Sequence, residues 1–261
     1  MMFLEDYFIK LKVSRTKIHH TKLANNDRVT RVLKITDMLG IRGKGTCAVV
    51  GNGGILLDSG CGMEIDAHDF VIRNNLAPIK QYVNDVGFKT DIMTINGERL
   101  GRVVTTLQND TASQGVEELL NNLRFLNESV LWHPKSIVGV GGELVAKLYD
   151  ILQNNHLPIR LAYSPQSNVP IAGRIWNIEY PTMGLMMYTF ASVFCDKISL
   201  YGFYPFSKGL NRDVVQHHYY EEIKLNYNTD TIHSFVKEYQ ILTDLHRKGA
   251  LRFVGDNCNT K

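Results

Sequence analysis

Apolar positions along the chain change period several times, and each change predicts an element. Residues 46–51, T-C-A-V-V-G, are continuously apolar, as in a strand buried on both faces, and the turn Gly51-Asn52-Gly53-Gly54 follows at once. Leu56, Leu57 and Ile65 belong to a short helical or irregular segment. Phe70 to Arg73 reads as a second strand, 91–95 as a third, Val130 to Trp132 as a fourth and Ile159 to Tyr163 as a fifth. Between them, Val116, Leu119, Leu120 and Leu123 fall at helical spacing and predict a helix over 115–126; another is expected over 142–154. Residues 164–181 carry three prolines and predict a loop.

The chain is organised around 180–206. A turn at Pro181 and Gly184 leads into helical spacing through Leu185, Tyr188, Ala191 and Phe194, with Cys195 closing the helix. The period then shortens to a strand over 198–203, which ends in the aromatic group Tyr201, Phe203, Tyr204 and Phe206. A turn that opens a helix leaves backbone N–H groups at its positive end, a natural seat for an anion. A last amphipathic helix is expected over 235–248, stopped by Gly249. Strands alternating with helices predict an α/β fold with a mainly parallel, twisted sheet flanked by helices. No internal repeat or linker divides it.

Composition narrows this picture little. The 261 residues suffice for one large domain, and 44% hydrophobic with 21% charged residues is ordinary for a soluble globular protein. A net charge of +3 is too small to argue for nucleic acid, and no apolar run is long enough to span a membrane. Residues 1–45 form a basic N-terminal extension, with ten Lys or Arg against four acids; its first ten residues lack the order of a signal peptide. Four cysteines, Cys47, Cys61, Cys195 and Cys258, lie far apart with no C-x-x-C pair, which argues against zinc. Four buried thiols and two disulfides are both open on this pattern. The sequons at Asn109 and Asn127 are glycosylation candidates of the kind an oxidising compartment would use.

Candidate chemistry gathers at three places. The turn after the first strand stands where α/β proteins place a phosphate loop, but Leu56 occupies the third glycine position of a dinucleotide fingerprint. Asn74 and Asn75 close the second strand at the same edge of the sheet. His217-His218-Tyr219-Tyr220-Glu221 and His233 supply imidazoles, the side chains suited to proton transfer near neutral pH. His233 stands just before the expected helix N-terminus. No D-x-D occurs, so no metal-bridged nucleotide sugar is indicated, and no cofactor or metal is expected.

Taken together these residues resemble the animal sialyltransferase family, and within it the α-2,8-sialyltransferases, the group that includes the polysialyltransferases. Residues 47–78, C-A-V-V-G-N-G-G through R-N-N-L-A-P, resemble the large sialylmotif and 180–206 the small one. H-Y-Y-E at 218–221 is similar to the third motif, and His233 with Glu238 to the very small H-x4-E motif. The resemblance implies a Rossmann-like fold of the glycosyltransferase A type over 46–261. It implies inverting, metal-independent transfer of sialic acid from CMP-sialic acid to a sialylated glycoprotein or glycolipid, with no nucleic-acid partner.

By position, the resemblance puts Asn52, Asn75, Thr182, Met183, Gly184, Gly202, Phe203, Tyr204, His217 and His218 against the donor. It makes His218 the aid to CMP departure and His233 the general base. It pairs Cys47 with Cys195 and Cys61 with Cys258. It places the protein in the Golgi lumen or secretory pathway, although the family's membrane anchor is absent from this sequence. Three departures stand out: Thr182 and Met183 replace the usual Ser and Thr, Tyr204 replaces a frequent tryptophan, and 156–180 lacks a strongly basic stretch. Met183 and the missing anchor motivate an alternative, a catalytically degenerate relative that binds CMP or sialoglycans without turnover. The last departure argues against long polymers. An unrelated oxidoreductase rests only on G-N-G-G.

Overall fold

A computed structural model describes residues 33–34, 45–109, 114–126, 128–134, 140–164, 169–209, 214–222, 232–255 and 257–258. Its centre is a sheet of β1 (Leu33–Lys34), β2 (Thr46–Val50), β3 (Phe70–Arg73), β4 (Ile92–Thr94), β5 (Val130–His133), β6 (Arg160–Tyr163), β7 (Lys197–Tyr201) and β8 (Arg252–Val254). The order across it is β1-β6-β5-β4-β3-β2-β7-β8, and every pairing is parallel. Parallel strands must be covered on both faces, which is why these segments are apolar without alternation.

The helices are α1 (Gly62–Asp66), α2 (Val83–Val86), α3 (Gly97–Asn109), α4 (Gln114–Arg124), α5 (Val140–Asn154), α6 (Val169–Trp176), α7 (Met183–Ala191) and α8 (Phe235–Arg247). Successive residues of β2 divide them into two layers. Ala48 and Val50 pack into a core with Ile65 of α1, Leu100 and Val104 of α3, Leu123 of α4 and Leu148 of α5. Cys47 and Val49 face the other core, with Ala172 of α6, Leu185 to Ala191 of α7 and Leu242 of α8. Helix α7 is buried on nearly every side, so its sequence, M-G-L-M-M-Y-T-F-A, is apolar all round.

Chain order along the sheet fixes where a ligand fits. From β2 the chain steps outward through β3 to β6 on one side, then crosses back to place β7 and β8 on the other. The connections that leave the carboxyl ends of the paired strands β2 and β7 therefore run to opposite sides, and such a switch point is where open α/β sheets bind ligands.

Two expectations need correction. Residues 164–181 are not all loop: α6 spans Val169–Trp176, with Pro170 in the first turn, where its missing N–H costs no helical bond. Helix α7 stops at Ala191, and Cys195 lies beyond it, in the connection to β7. A further helix, α3, covers Gly97–Asn109.

Both disulfides pair as the resemblance implies, Cys47 with Cys195 and Cys61 with Cys258. The first joins the start of β2 to the chain entering β7, where Asp196 and Lys197 donate backbone N–H groups to Gly45 O. Of residues 1–45 only Leu33, Lys34 and Gly45 are described, the first two paired to β6. Asn127 lies outside the described residues, and Asn109 ends α3. Among the described residues no helix is long and apolar enough to cross a membrane.

Candidate active site

A cleft of about 360 Å³ opens at the carboxyl ends of β2 and β7. Its floor is made by two backbone segments in contact. Gly51 N–H donates to Tyr201 O at 2.7 Å and Gly53 N–H to Gly202 O at 3.0 Å. Gly202 has φ +73°, and a Cβ there would meet Leu56 Cδ1 at 2.6 Å. Only glycine fits that bend beside a neighbouring backbone.

Gly184 is constrained differently: a Cβ would stand 2.6 Å from Phe203 Cε1, so the start of α7 lies directly against that ring. Gly184→Ala is expected to displace Phe203 and destabilise the fold by about 1–3 kcal/mol, the usual cost of overpacking, which a melting curve would show.

Asparagines form one wall. Asn52 donates Nδ2–H to Asn74 O at 3.2 Å, and its own carbonyl accepts from Tyr219 N–H at 2.9 Å. Asn74 is buried; it donates Nδ2–H to Val50 O, while its Oδ1 has no partner. Asn75 sits at φ +57°, a left-handed conformation that asparagine tolerates. Its Oδ1 accepts Asn96 N–H at 3.1 Å, leaving the Nδ2 donors for the cleft.

Opposite this wall is the start of α7. Thr182 is its N-cap: Oγ1 accepts Leu185 N–H at 3.2 Å, and Thr182 O accepts Met186 N–H at 3.1 Å. That leaves Met183 N–H and Gly184 N–H for an anion, since both residues line the cleft. The replacement of a hydroxyl residue by Met183 therefore spares the backbone donors. The Thr182 hydroxyl donates to Glu238 Oε2, while Thr182 N–H donates to Oε1 at 2.8 Å. Burial pushes the Glu238 carboxyl above its usual range; the Thr182 hydrogen bonds and nearby His233 pull it back.

Three imidazoles line the same cleft. His233 Nδ1 lies 2.9 Å from Tyr180 O. A carbonyl only accepts, so Nδ1 carries the proton of the neutral ring and Nε2 carries the lone pair. His218 Nδ1 lies 2.7 Å from Glu221 Oε2, and its ring stacks on Tyr220, with centroids 5.1 Å apart. An isolated bridge pairs His218 with Gly53, which seats the H-Y-Y-E segment beside the glycine turn. The His217 and His218 rings lie 3.9 Å apart.

Aromatic residues close the far side. Tyr204 donates its hydroxyl to Lys208 O at 2.7 Å and packs edge-on to Phe206 and Tyr239. All ten donor-contacting candidates, Asn52, Asn75, Thr182, Met183, Gly184, Gly202, Phe203, Tyr204, His217 and His218, line this one cleft, as does His233. Sequence reasoning missed Asn96, Glu98, Tyr239 and Leu242. Asn96 follows β4 at the same edge as Asn52 and Asn75, so its position after a strand was the available signal. Among the described residues no Lys or Arg lines the cleft, so the groups these residues offer an anion there are amides, carboxamides and imidazoles. Among the described residues no three His, Cys, Asp or Glu side chains group as a metal site would require.

This geometry has relatives. A crystal structure of a mammalian sialyltransferase superposes on the chain with a TM-score of 0.54 at 21% identity, covering 98% of this chain and 86% of the other. A second, of a mammalian sialyltransferase in complex with Gal-β-1-3GalNAc-ortho-nitrophenol, gives a TM-score of 0.53 at 20% identity, covering 98% and 87%. The shared feature at that identity is the fold. The sequence model of glycosyltransferase family 29 matches residues 4–250. The chain belongs to glycosyltransferase family 29, the sialyltransferases.

Proposed function

We propose that the protein transfers sialic acid from CMP-sialic acid to a hydroxyl of an already sialylated glycoprotein or glycolipid glycan, forming an α-2,8 linkage. The observation that carries this reading is one turn with two uses: Tyr180 O orients His233, and two residues on, the same turn starts α7 with Met183 and Gly184 N–H facing the cleft. Base and anion seat are thus fixed to one piece of backbone.

In the reaction, His233 Nε2 takes the acceptor hydroxyl proton as the oxygen attacks the anomeric carbon. The bond from that carbon to the CMP phosphate oxygen breaks, and CMP leaves with both electrons. A single in-line displacement inverts the anomeric centre. Negative charge grows on the phosphate, where the α7 amides, Asn52 and Asn75 donate without a metal. With Nδ1–H held by Glu221, the imidazolium form of His218 has Nε2–H for the leaving phosphate. The aromatic side at Phe203 and Tyr204 is suited to the cytosine face.

Transfer of this kind belongs in the Golgi lumen, whose oxidising conditions sustain disulfides. The test is product analysis: CMP-Neu5Ac with a panel of sialylated and asialo acceptors should release CMP and extend only the sialylated ones, by few residues. Transfer to asialo acceptors alone would remove the α-2,8 assignment. Calorimetric CMP binding with no transfer to any acceptor would establish the degenerate binding relative instead.

A further inference from the structure

Glu238 is a buried carboxylate, 4% exposed, that the transfer chemistry above leaves unused. An ionised carboxylate is kept out of water only where hydrogen bonds replace hydration. Here both bonds come from one residue, Thr182, through its backbone N–H and its hydroxyl. Thr182 caps α7 by accepting Leu185 N–H, and that needs no carboxylate behind it. What the carboxylate adds is a fixed position for the turn itself.

The H-x4-E spacing shows the consequence. Ser234 precedes α8, and Glu238 N–H donates to Ser234 O at 2.9 Å, so Glu238 stands one turn into the helix, with His233 just outside it. From these two places the segment holds Tyr180-Pro181-Thr182 at both ends: His233 at Tyr180 O, Glu238 at Thr182. The result is a closed ring of contacts between two backbone segments. If Thr182 shifts, Tyr180 O shifts with it, and so does the ring orientation that sets the lone pair of His233.

We propose that Glu238 is a positioning residue, which acts through Thr182 to set both the anion seat at Met183 and Gly184 and the tautomer and orientation of His233. Its kinetic consequences rest on the transfer reaction proposed above; its structural ones do not.

The test compares Glu238→Gln, Thr182→Val and the double variant. Glutamine keeps the shape and one acceptor, but its amide cannot accept the Thr182 hydroxyl. Nitrogen-15 imidazole shifts, read without ligand, should show His233 protonated on Nδ1 in the starting protein and a mixture of tautomers in E238Q. With CMP-Neu5Ac and a sialylated acceptor, E238Q should lower kcat by about 10- to 100-fold, the scale of a charged hydrogen bond, and raise the donor KM. A purely structural role would lower the active fraction and leave KM unchanged. T182V should behave alike, and the double variant should be no worse than the more damaging single change. Multiplying effects would mean that Glu238 works on His233 by charge alone, and would overturn the proposal. So would an E238Q protein with unaltered tautomer and kinetic constants. If E238Q fails to fold, Glu238→Asp, which keeps the charge but draws it back from Thr182, is read the same way. If the starting protein transfers nothing, the reaction assignment fails while the tautomer comparison still decides the role of Glu238.

Discussion

His233→Ala is expected to lower kcat by about 10²–10⁴-fold, the usual contribution of a positioned general base, with CMP affinity nearly unchanged. The split follows from where the ring is held. His233 is fixed by Tyr180 O, whereas the amides offered to an anion belong to Met183 and Gly184. Truncating the imidazole removes the lone pair of Nε2 and leaves the cap of α7 in place, since Thr182 and Glu238 hold it independently. Single-turnover transfer and CMP calorimetry on the same preparation check this. Equal turnover in the variant would remove His233 from the mechanism. A loss of CMP affinity as large as the loss of rate would make it a donor-binding residue instead.

How much of this was open to inspection in the sequence varies by element. Buried strands such as Thr46–Val50 and Phe70–Arg73 declare themselves because parallel strands in a covered sheet leave no polar face. Helix α3 was equally legible, with Leu100, Val103 and Val104 buried at helical spacing, although it went unassigned. Helix α6 was harder: V-P-I-A-G-R-I-W holds a proline and a glycine in eight residues, and a count of breakers points to loop. What rescues it is the position of Pro170 in the first turn, together with tertiary support from Ala172 in the core. Three-residue β8 has no pattern of its own; it exists by pairing with β7.

The site divides in the same way. Motif spacing led to each residue that the resemblance put at the donor, because short motifs carry their own local geometry. The contacts between motifs were not legible. Nothing local in H-x4-E says that its glutamate reaches across 56 residues of chain to Thr182, or that the histidine rests on Tyr180 O. Nor does Tyr204 announce that its hydroxyl is committed to Lys208 O. Such partners are set by how α7 and α8 pack together, and that is a property of the whole second layer.

Replacing Cys47 and Cys195 together by alanine is expected to cost up to about 5 kcal/mol of stability, from closure of a loop with a sequence separation of 148. Against a total of about 5–15 kcal/mol that is a large share, and for a chain of this size it corresponds to a melting temperature lower by about 10–20 °C. Alanine is the right substitute at 47, because Cys47 is fully buried and a serine hydroxyl would add an unpaired polar group. The companion bridge makes the test sharper. Cys61–Cys258 closes a separation of 197, so the chain-entropy account assigns it nearly the same value. In the folded protein the two are unlike. Cys47 lies on an interior strand, where Gly45 O and the β2–β7 ladder already join the same segments. Cys258 stands beyond the edge strand β8, with its N–H on Ser59 O. Equal losses on removing either pair would show that the bridges act on the unfolded chain. A much smaller loss for Cys47–Cys195 would show that the native ladder makes that bridge redundant, and the entropy account would then fail for this sheet.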